Sequence, residues 1–169
     1  MTPYHSCKGC FIHTGFLTDY LLNEKKLLER AAAIIENYDV NEIVCTGHSL
    51  GAALSTISGV SIAQKYPNIP VIVHNFGSPR FGNENLAQFI SQKVKQIFRV
   101  VHHKDVVPHL PPEVEYKHPA FEVFFDSDMV NYKVCDDSGE DKTCSNQYFP
   151  TYDPNDHDFY FVYISHVQC

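Results

Sequence analysis

Leu17, Leu21, Leu28, Ala32 and Ile35 recur at helical spacing, with Glu24, Lys25, Glu29 and Arg30 between them. That spacing lays one apolar stripe along a helix over about 16–37, with Thr14 or Thr18 as its cap. Glu42-Ile43-Val44-Cys45-Thr46 then reads as a strand. A second helix of small and apolar residues runs to about Lys65 and stops before Pro67. Val71-Ile72-Val73-His74-Asn75-Phe76 is almost continuously apolar, the mark of a strand covered on both faces. Asn83 caps a third helix whose apolar face is Leu86, Phe89, Ile90 and Val94, and Ile97-Phe98-Arg99-Val100-Val101 is the next strand. Strand, helix, strand, helix, strand is the order of a parallel α/β sheet. After residue 103 the pattern loosens. Pro108, Pro111 and Pro112 mark an irregular loop. Tyr116 to Phe125 and Tyr132 to Cys135 read as an antiparallel hairpin turning at Asp126-Ser127-Asp128. Residues 145–156 are polar, and a short helix or turn around 156–164 closes the chain.

The 169 residues, 44% hydrophobic and 13% aromatic, suffice for one domain with a sizeable core. A net charge of −7 lacks the basic footprint that nucleic acid needs and gives no pull toward anionic membranes. No run approaches the ~18–20 apolar residues of a membrane span. Met1-Thr2-Pro3-Tyr4-His5 has no apolar stretch of the kind a signal peptide carries. Of six cysteines, Cys45 lies within a strand and reads as a buried free thiol. Cys135 and Cys144 bracket a polar loop that a disulfide would close. Cys7 and Cys10 form a C-x-x-C, which fits a redox motif, half a zinc site or a structural disulfide. No second C-x-x-C follows and no strand precedes it, which favours the disulfide. Two such bridges imply secretion or another oxidising compartment.

Gly47-His48-Ser49-Leu50-Gly51 joins the first long strand to the second helix. Strand, G-x-S-x-G, helix is the nucleophile elbow of an α/β-hydrolase. The turn strains the serine backbone and pushes its hydroxyl out of the fold, and side chains at Gly47 or Gly51 are expected to clash. The helix start aims free N–H groups, that of Leu50 first, where an oxyanion would form. A serine hydroxyl needs a base, and in this fold the acid and then the histidine follow it along the chain. Asp105, four residues after the strand ending at Val101 and shielded by Val106, Val107 and Pro108, is the acid candidate. Asp126 and Asp128 are rivals within a turn. His157, before the apolar anchor Phe159-Tyr160-Phe161, is the base candidate, and His166 the rival. His102, His103, His109 and His118 raise a metal site. Adjacent histidines on a strand face opposite ways, and no H-E-x-x-H is present, so no metal is expected.

These residues add up to a resemblance to the class 3 lipases, fungal triacylglycerol lipases and feruloyl esterases. The matching pieces begin with Cys7-x-x-Cys10-x-x-His13-x-Gly15-Phe16, Thr46 to Leu54 and Phe76-Gly77-Ser78-Pro79-Arg80-Phe81-Gly82-Asn83. They continue with Arg99-Val100-x-His102-x-x-Asp105-x-Val107-Pro108-x-Leu110-Pro111-Pro112 and Asp156-His157-x-x-Tyr160-Phe161. The resemblance implies Ser49 as nucleophile, Asp105 as acid, His157 as base, Leu50 N–H in the oxyanion hole, and disulfides Cys7–Cys10 and Cys135–Cys144. It implies an ester or lipid substrate, action at a lipid–water interface and no cofactor. The rival expectations are a feruloyl-type or short-chain carboxylesterase and a catalytically silent lipase-like binding module. The family's F-R-G-[TS] strand end, its lid helix and the usual partner of a cysteine like Cys169 lie upstream of the region matching Cys7. The 169 residues therefore read as one α/β-hydrolase domain lacking its N-terminal strands and lid, a weak enzyme or none by itself. Its elbow strand is expected to have an open edge through which chains associate.

Overall fold

The computed structural model describes residues 1–163, and the chain from Thr14 onward alternates helices with strands. Two short strands, β1 (Thr2–Pro3) and β2 (Phe11–Ile12), pair with each other and are joined by a loop that the Cys7–Cys10 disulfide closes. Helix α1 (Thr14–Asn37) follows most of the predicted stripe, with Tyr20 buried and Leu17 and Leu28 packed against the core, but Leu21, expected on that stripe, is 53% exposed. Neither threonine caps it. His13 is the N-cap residue, without a side-chain hydrogen bond, and the Thr18 hydroxyl instead donates back to the Thr14 carbonyl at 2.9 Å. A hydroxyl one turn inside a helix finds that carbonyl nearer than any free N–H.

Strand β3 (Ile43–His48), helix α2 (Leu50–Lys65), strand β4 (Val71–Phe76), helix α3 (Glu84–Lys93) and strand β5 (Gln96–His102) give the expected α/β order. Asn83 caps α3 as its sequence suggested, accepting from Leu86 N at 3.1 Å. Strands β6 (Glu122–Phe125) and β7 (Tyr132–Val134) complete a five-stranded sheet in the order β3-β4-β5-β6-β7, parallel except for β7. The register sets Ile43 beside Val71 and Ile72 beside Gln96, so the strands end together and their carboxyl ends form one rim. The core lies where the helices cover the sheet. Ile12, Ala53, Val60, Val73, Phe81 and Ile90 are each almost completely buried there, and each large side chain among them contributes about 1.5–3 kcal/mol. Strand β3 stands at the sheet edge and leaves Val44 56% exposed. Among the described residues no helix is long and apolar enough to cross a membrane.

Three expectations need correction. The first hairpin strand is short. Residues 116–121 form a loop tied by single bonds, Lys117 N to Gly82 O and Phe121 N to Ile97 O, and only 122–125 pair with β7. The turn is correspondingly long, closed by Asp126 N to Asn131 O. The last described residues form a 3₁₀ turn over Pro154–Asp158 followed by a small hairpin, β8 (Phe159–Tyr160) and β9 (Val162–Tyr163). Cys45 is free but only half-buried, because its strand is at the edge. Cys135–Cys144 is a disulfide, and Cys169 lies outside the described residues.

Under the sheet's far end sits an ionic cluster. Arg80 makes a two-pronged bond to Glu140, at 2.8 Å from Nε and 2.6 Å from Nη2. Arg99 lies 3.5 Å from Glu122 and donates to the Pro119 and Gly139 carbonyls. All four charged side chains are at least nine-tenths buried. Burying a charge there is costly unless it is paired; both arginines have a carboxylate partner, although Arg99 Nη1 makes no hydrogen bond.

Candidate active site

Ser49 sits between β3 and α2 at φ 57° and ψ −128°, a backbone region that a residue with a Cβ rarely enters. Its N–H donates to the Phe76 carbonyl at 3.0 Å, which holds the bend against β4. Gly47 is required: a Cβ there would fall onto the Gly51 carbonyl and lie 2.9 Å from Ala52 N. Gly51 is not. A Cβ at Gly51 meets nothing within 4 Å, so its expected clash is absent among the described residues. It is the main chain of Gly51, not its missing side chain, that crowds Gly47. The N–H of Leu50 opens α2, where no preceding carbonyl is available within the helix.

The chain leaves β5 through His103, at φ 38°, and turns so that Asp105 is 0% exposed. Val107 N donates to Asp105 Oδ1 at 2.8 Å. The other oxygen, Oδ2, receives His157 Nδ1 at 2.9 Å and the Tyr160 hydroxyl at 2.5 Å. His157 Nε2 lies 2.8 Å from Ser49 Oγ. A carboxylate only accepts, so Nδ1 carries the imidazole hydrogen and Nε2 is left to accept from the serine. The three residues, 108 positions apart at the extremes, are thus joined in one hydrogen-bonded line. Tyr160 must keep its proton to donate. Burial, then the Asp105 charge, raises its hydroxyl well above the ordinary tyrosine range.

Asp156 holds the base loop to the acid loop. Its Oδ2 accepts from Lys104 N at 2.9 Å and faces His103 Nδ1 at 3.0 Å, while its carbonyl faces His102 Nδ1 at 3.0 Å. The remaining histidines of that region serve separately. His118 Nε2 donates to the Pro108 carbonyl at 2.7 Å, and His109 stacks on Tyr152 at 4.2 Å. Among the described residues the one trio of ligating atoms close enough to share a metal is Glu122, Cys135 and Cys144, and those two sulfurs are bonded to each other. Asp126 and Asp128 are exposed in their turn, Asp128 accepting from Val130 N and Asn131 N, and His166 lies outside the described residues.

Sequence reasoning missed Gly77, the Tyr160 hydroxyl and Asp156. Gly77, at φ 55°, passes so near the acid and base that a Cβ there would lie 2.9 Å from Asp105 Oδ2. The signal available was a glycine immediately after a strand end. A cavity of about 550 Å3 opens between α3 and the start of β5, at the opposite end of the strands from Ser49. Ser49, His157 and Asp105 meet instead at the rim formed by the carboxyl ends of the strands.

The profile of the family Lipase (class 3) matches residues 1–115, which include Ser49 and Asp105. The lipase of Rhizopus niveus is 30% identical over 164 residues, 95% of this chain and 42% of that protein. Secreted mono- and diacylglycerol lipase 1 of Fusarium solani is 34% identical over 139 residues, 76% of this chain and 40% of its own length. The chain therefore spans less than half the length of these curated relatives. Among solved structures, a triacylglycerol lipase whose catalytic centre is described as a serine protease triad superimposes with a TM-score of 0.89 at 28% identity, over 95% of this chain and 62% of that one. The mostly parallel sheet flanked by helices is that of an α/β-hydrolase, and the chain belongs to the class 3 lipase family.

Proposed function

We propose that the protein is a serine hydrolase that cleaves carboxylic esters, acylglycerols above all, through an acyl-enzyme. One observation carries this reading: Ser49 Oγ is 2.8 Å from His157 Nε2, whose ring is held by Asp105 at 2.9 Å. Ser49 attacks the ester carbonyl as its proton passes to His157 Nε2. The oxyanion meets the Leu50 N–H, Asp105 supports the imidazolium, and the proton then leaves with the alcohol. Water repeats the cycle on the acyl-enzyme. Acylglycerols are favoured over feruloyl esters because the relatives reported above are named as lipases. The name of the Fusarium relative and two disulfides support a secreted protein working at a lipid–water interface.

Incubation with a fluorophosphonate, followed by peptide mass spectrometry, tests the nucleophile. The label is expected on Ser49 and absent from Ser49→Ala, with the circular dichroism of the two proteins unchanged. A folded protein that takes no label at Ser49 overturns the reading and supports a silent binding module. Emulsified triolein is expected to be hydrolysed faster than methyl ferulate; the reverse order moves the substrate to aryl esters.

A further inference from the structure

The reaction above leaves one ring beside the base without a role. His48, directly before Ser49, is half-buried, and its ring lies 4.4 Å from that of His157 with the planes 30° apart. His48 Nε2 is 2.9 Å from the His157 carbonyl oxygen. A carbonyl only accepts, so Nε2 carries the hydrogen. Tyr160 closes the other side at 5.4 Å between ring centroids. The ionisable groups that act on His48 are His157, Asp105 and Asp158, with the Tyr160 hydroxyl nearby. Of these only His157 gains positive charge during acyl transfer, and it gains it at stacking distance.

We propose that His48 is a positioning residue for the base, and that acyl transfer at Ser49 requires its ring to be uncharged. The inference rests on the reading of Ser49, His157 and Asp105 as a working triad. The hydrogen bond from His48 fixes the main chain of residue 157, and the ring face fixes the plane of the imidazole. When the Ser49 proton arrives on His157 Nε2, the new cation lies against the face of a neutral aromatic ring, which tolerates positive charge. A protonated His48 would instead set a second cation against it. Burial first, and then the charge of His157, holds His48 below the ordinary histidine range, which keeps it neutral where the base works. Acid should therefore stop the reaction in two protonations rather than one.

The test uses the rate of fluorophosphonate labelling at Ser49 between pH 4 and 8 in the 169-residue chain, with His48→Phe and His48→Gln. His48→Phe keeps a stacking ring and loses the donor; His48→Gln keeps an N–H donor and cannot titrate. In the wild type the acid limb of log rate against pH is expected to steepen beyond a slope of one. Both variants should return to a slope of one. At pH 8 His48→Phe should label about tenfold more slowly, the loss of one hydrogen bond, and His48→Gln should lose less. Variant acid limbs that superimpose on that of the wild type overturn the proposal. NMR titration of the two imidazoles keeps it testable even if Ser49 takes no label. The His157 ring signals should show two inflections in the wild type and one in His48→Gln. A single inflection in both sinks the inference about His48, whereas two inflections without labelling count against the triad reading alone.

Discussion

Gly77 has no side chain, yet it sits where Asp105 and His157 meet. Its φ of 55° suits a residue without a Cβ, and a Cβ would lie 2.9 Å from both Asp105 Oδ2 and His157 Cε1. Gly77→Ala is therefore expected to slow labelling of Ser49 about a hundredfold, the effect of displacing a reacting group by roughly 1 Å. Its cost to stability should be only about 1–2 kcal/mol, from the left-handed backbone. Labelling kinetics and thermal unfolding read the two separately, and a wild-type rate would mean that the acid and base yield to the methyl group. Ser49 was legible in the sequence because its signal is local, a glycine on each side between a strand and a helix. Asp105 and His157 were legible from chain order and from the resemblance. The Tyr160 hydroxyl was not, because its partner lies 55 residues away and nothing in an apolar Phe-Tyr-Phe run announces a hydrogen bond.

The strand–turn–helix unit around Ser49 works through close approach of main chains. Helix α2 presents Ala52, Ala53, Thr56 and Gly59 among its buried residues, and a Cβ at Gly59 would press on Val73 at 3.1 Å. The unit predicts an asymmetry between its two glycines. Gly47→Ala should cost about 3 kcal/mol or more, since backbone rather than a flexible side chain would have to move. Gly51→Ala should be neutral or stabilising by less than about 1 kcal/mol, because a helix prefers alanine. Urea unfolding of the two variants decides, and equal losses would refute the crowding described for Gly47. The helices of this region could be read from their periodicity to within about two residues. The hairpin could not, because the mixed stretch from 116 to 125 does not reveal which of its N–H groups find a strand and which a loop carbonyl. The terminal hairpin of two-residue strands is shorter than any pattern the sequence can display.

Across the whole molecule, the buried charges of the Arg80–Glu140 and Arg99–Glu122 pairs set its response to acid. Burial alone would raise the Glu140 carboxyl, but the Arg80 hydrogen bonds, with the charges of Arg80 and Arg99, hold it well below the carboxylate range. Burial pushes His109 down to about 4, and burial with the Arg99 charge pushes His118 well below the histidine range. Each of these groups binds its proton less readily folded than unfolded. The contributions of His109 and His118 are full above the unfolded histidine value of about 6.5 and are lost as pH falls below it, whereas that of Glu140 is lost only below the unfolded carboxylate value of about 4.3. Glu122, raised by burial, works in the opposite sense just above the ordinary carboxylate value. The thermal midpoint should therefore begin to fall below about pH 6.5. Glu140→Gln, by leaving Arg80 without its partner, should cost about 3–5 kcal/mol at pH 7 and flatten the lower part of that profile. A midpoint constant between pH 7 and 4 would contradict this assignment. Glu140 rides on the segment that Cys135 and Cys144 close. A thiol reductant that opened that bond would let the segment wander and carry Glu140 away from Arg80, while Arg99 would keep Glu122. One of the two buried cations thus owes its counter-ion to a covalent sulfur link, and the other does not.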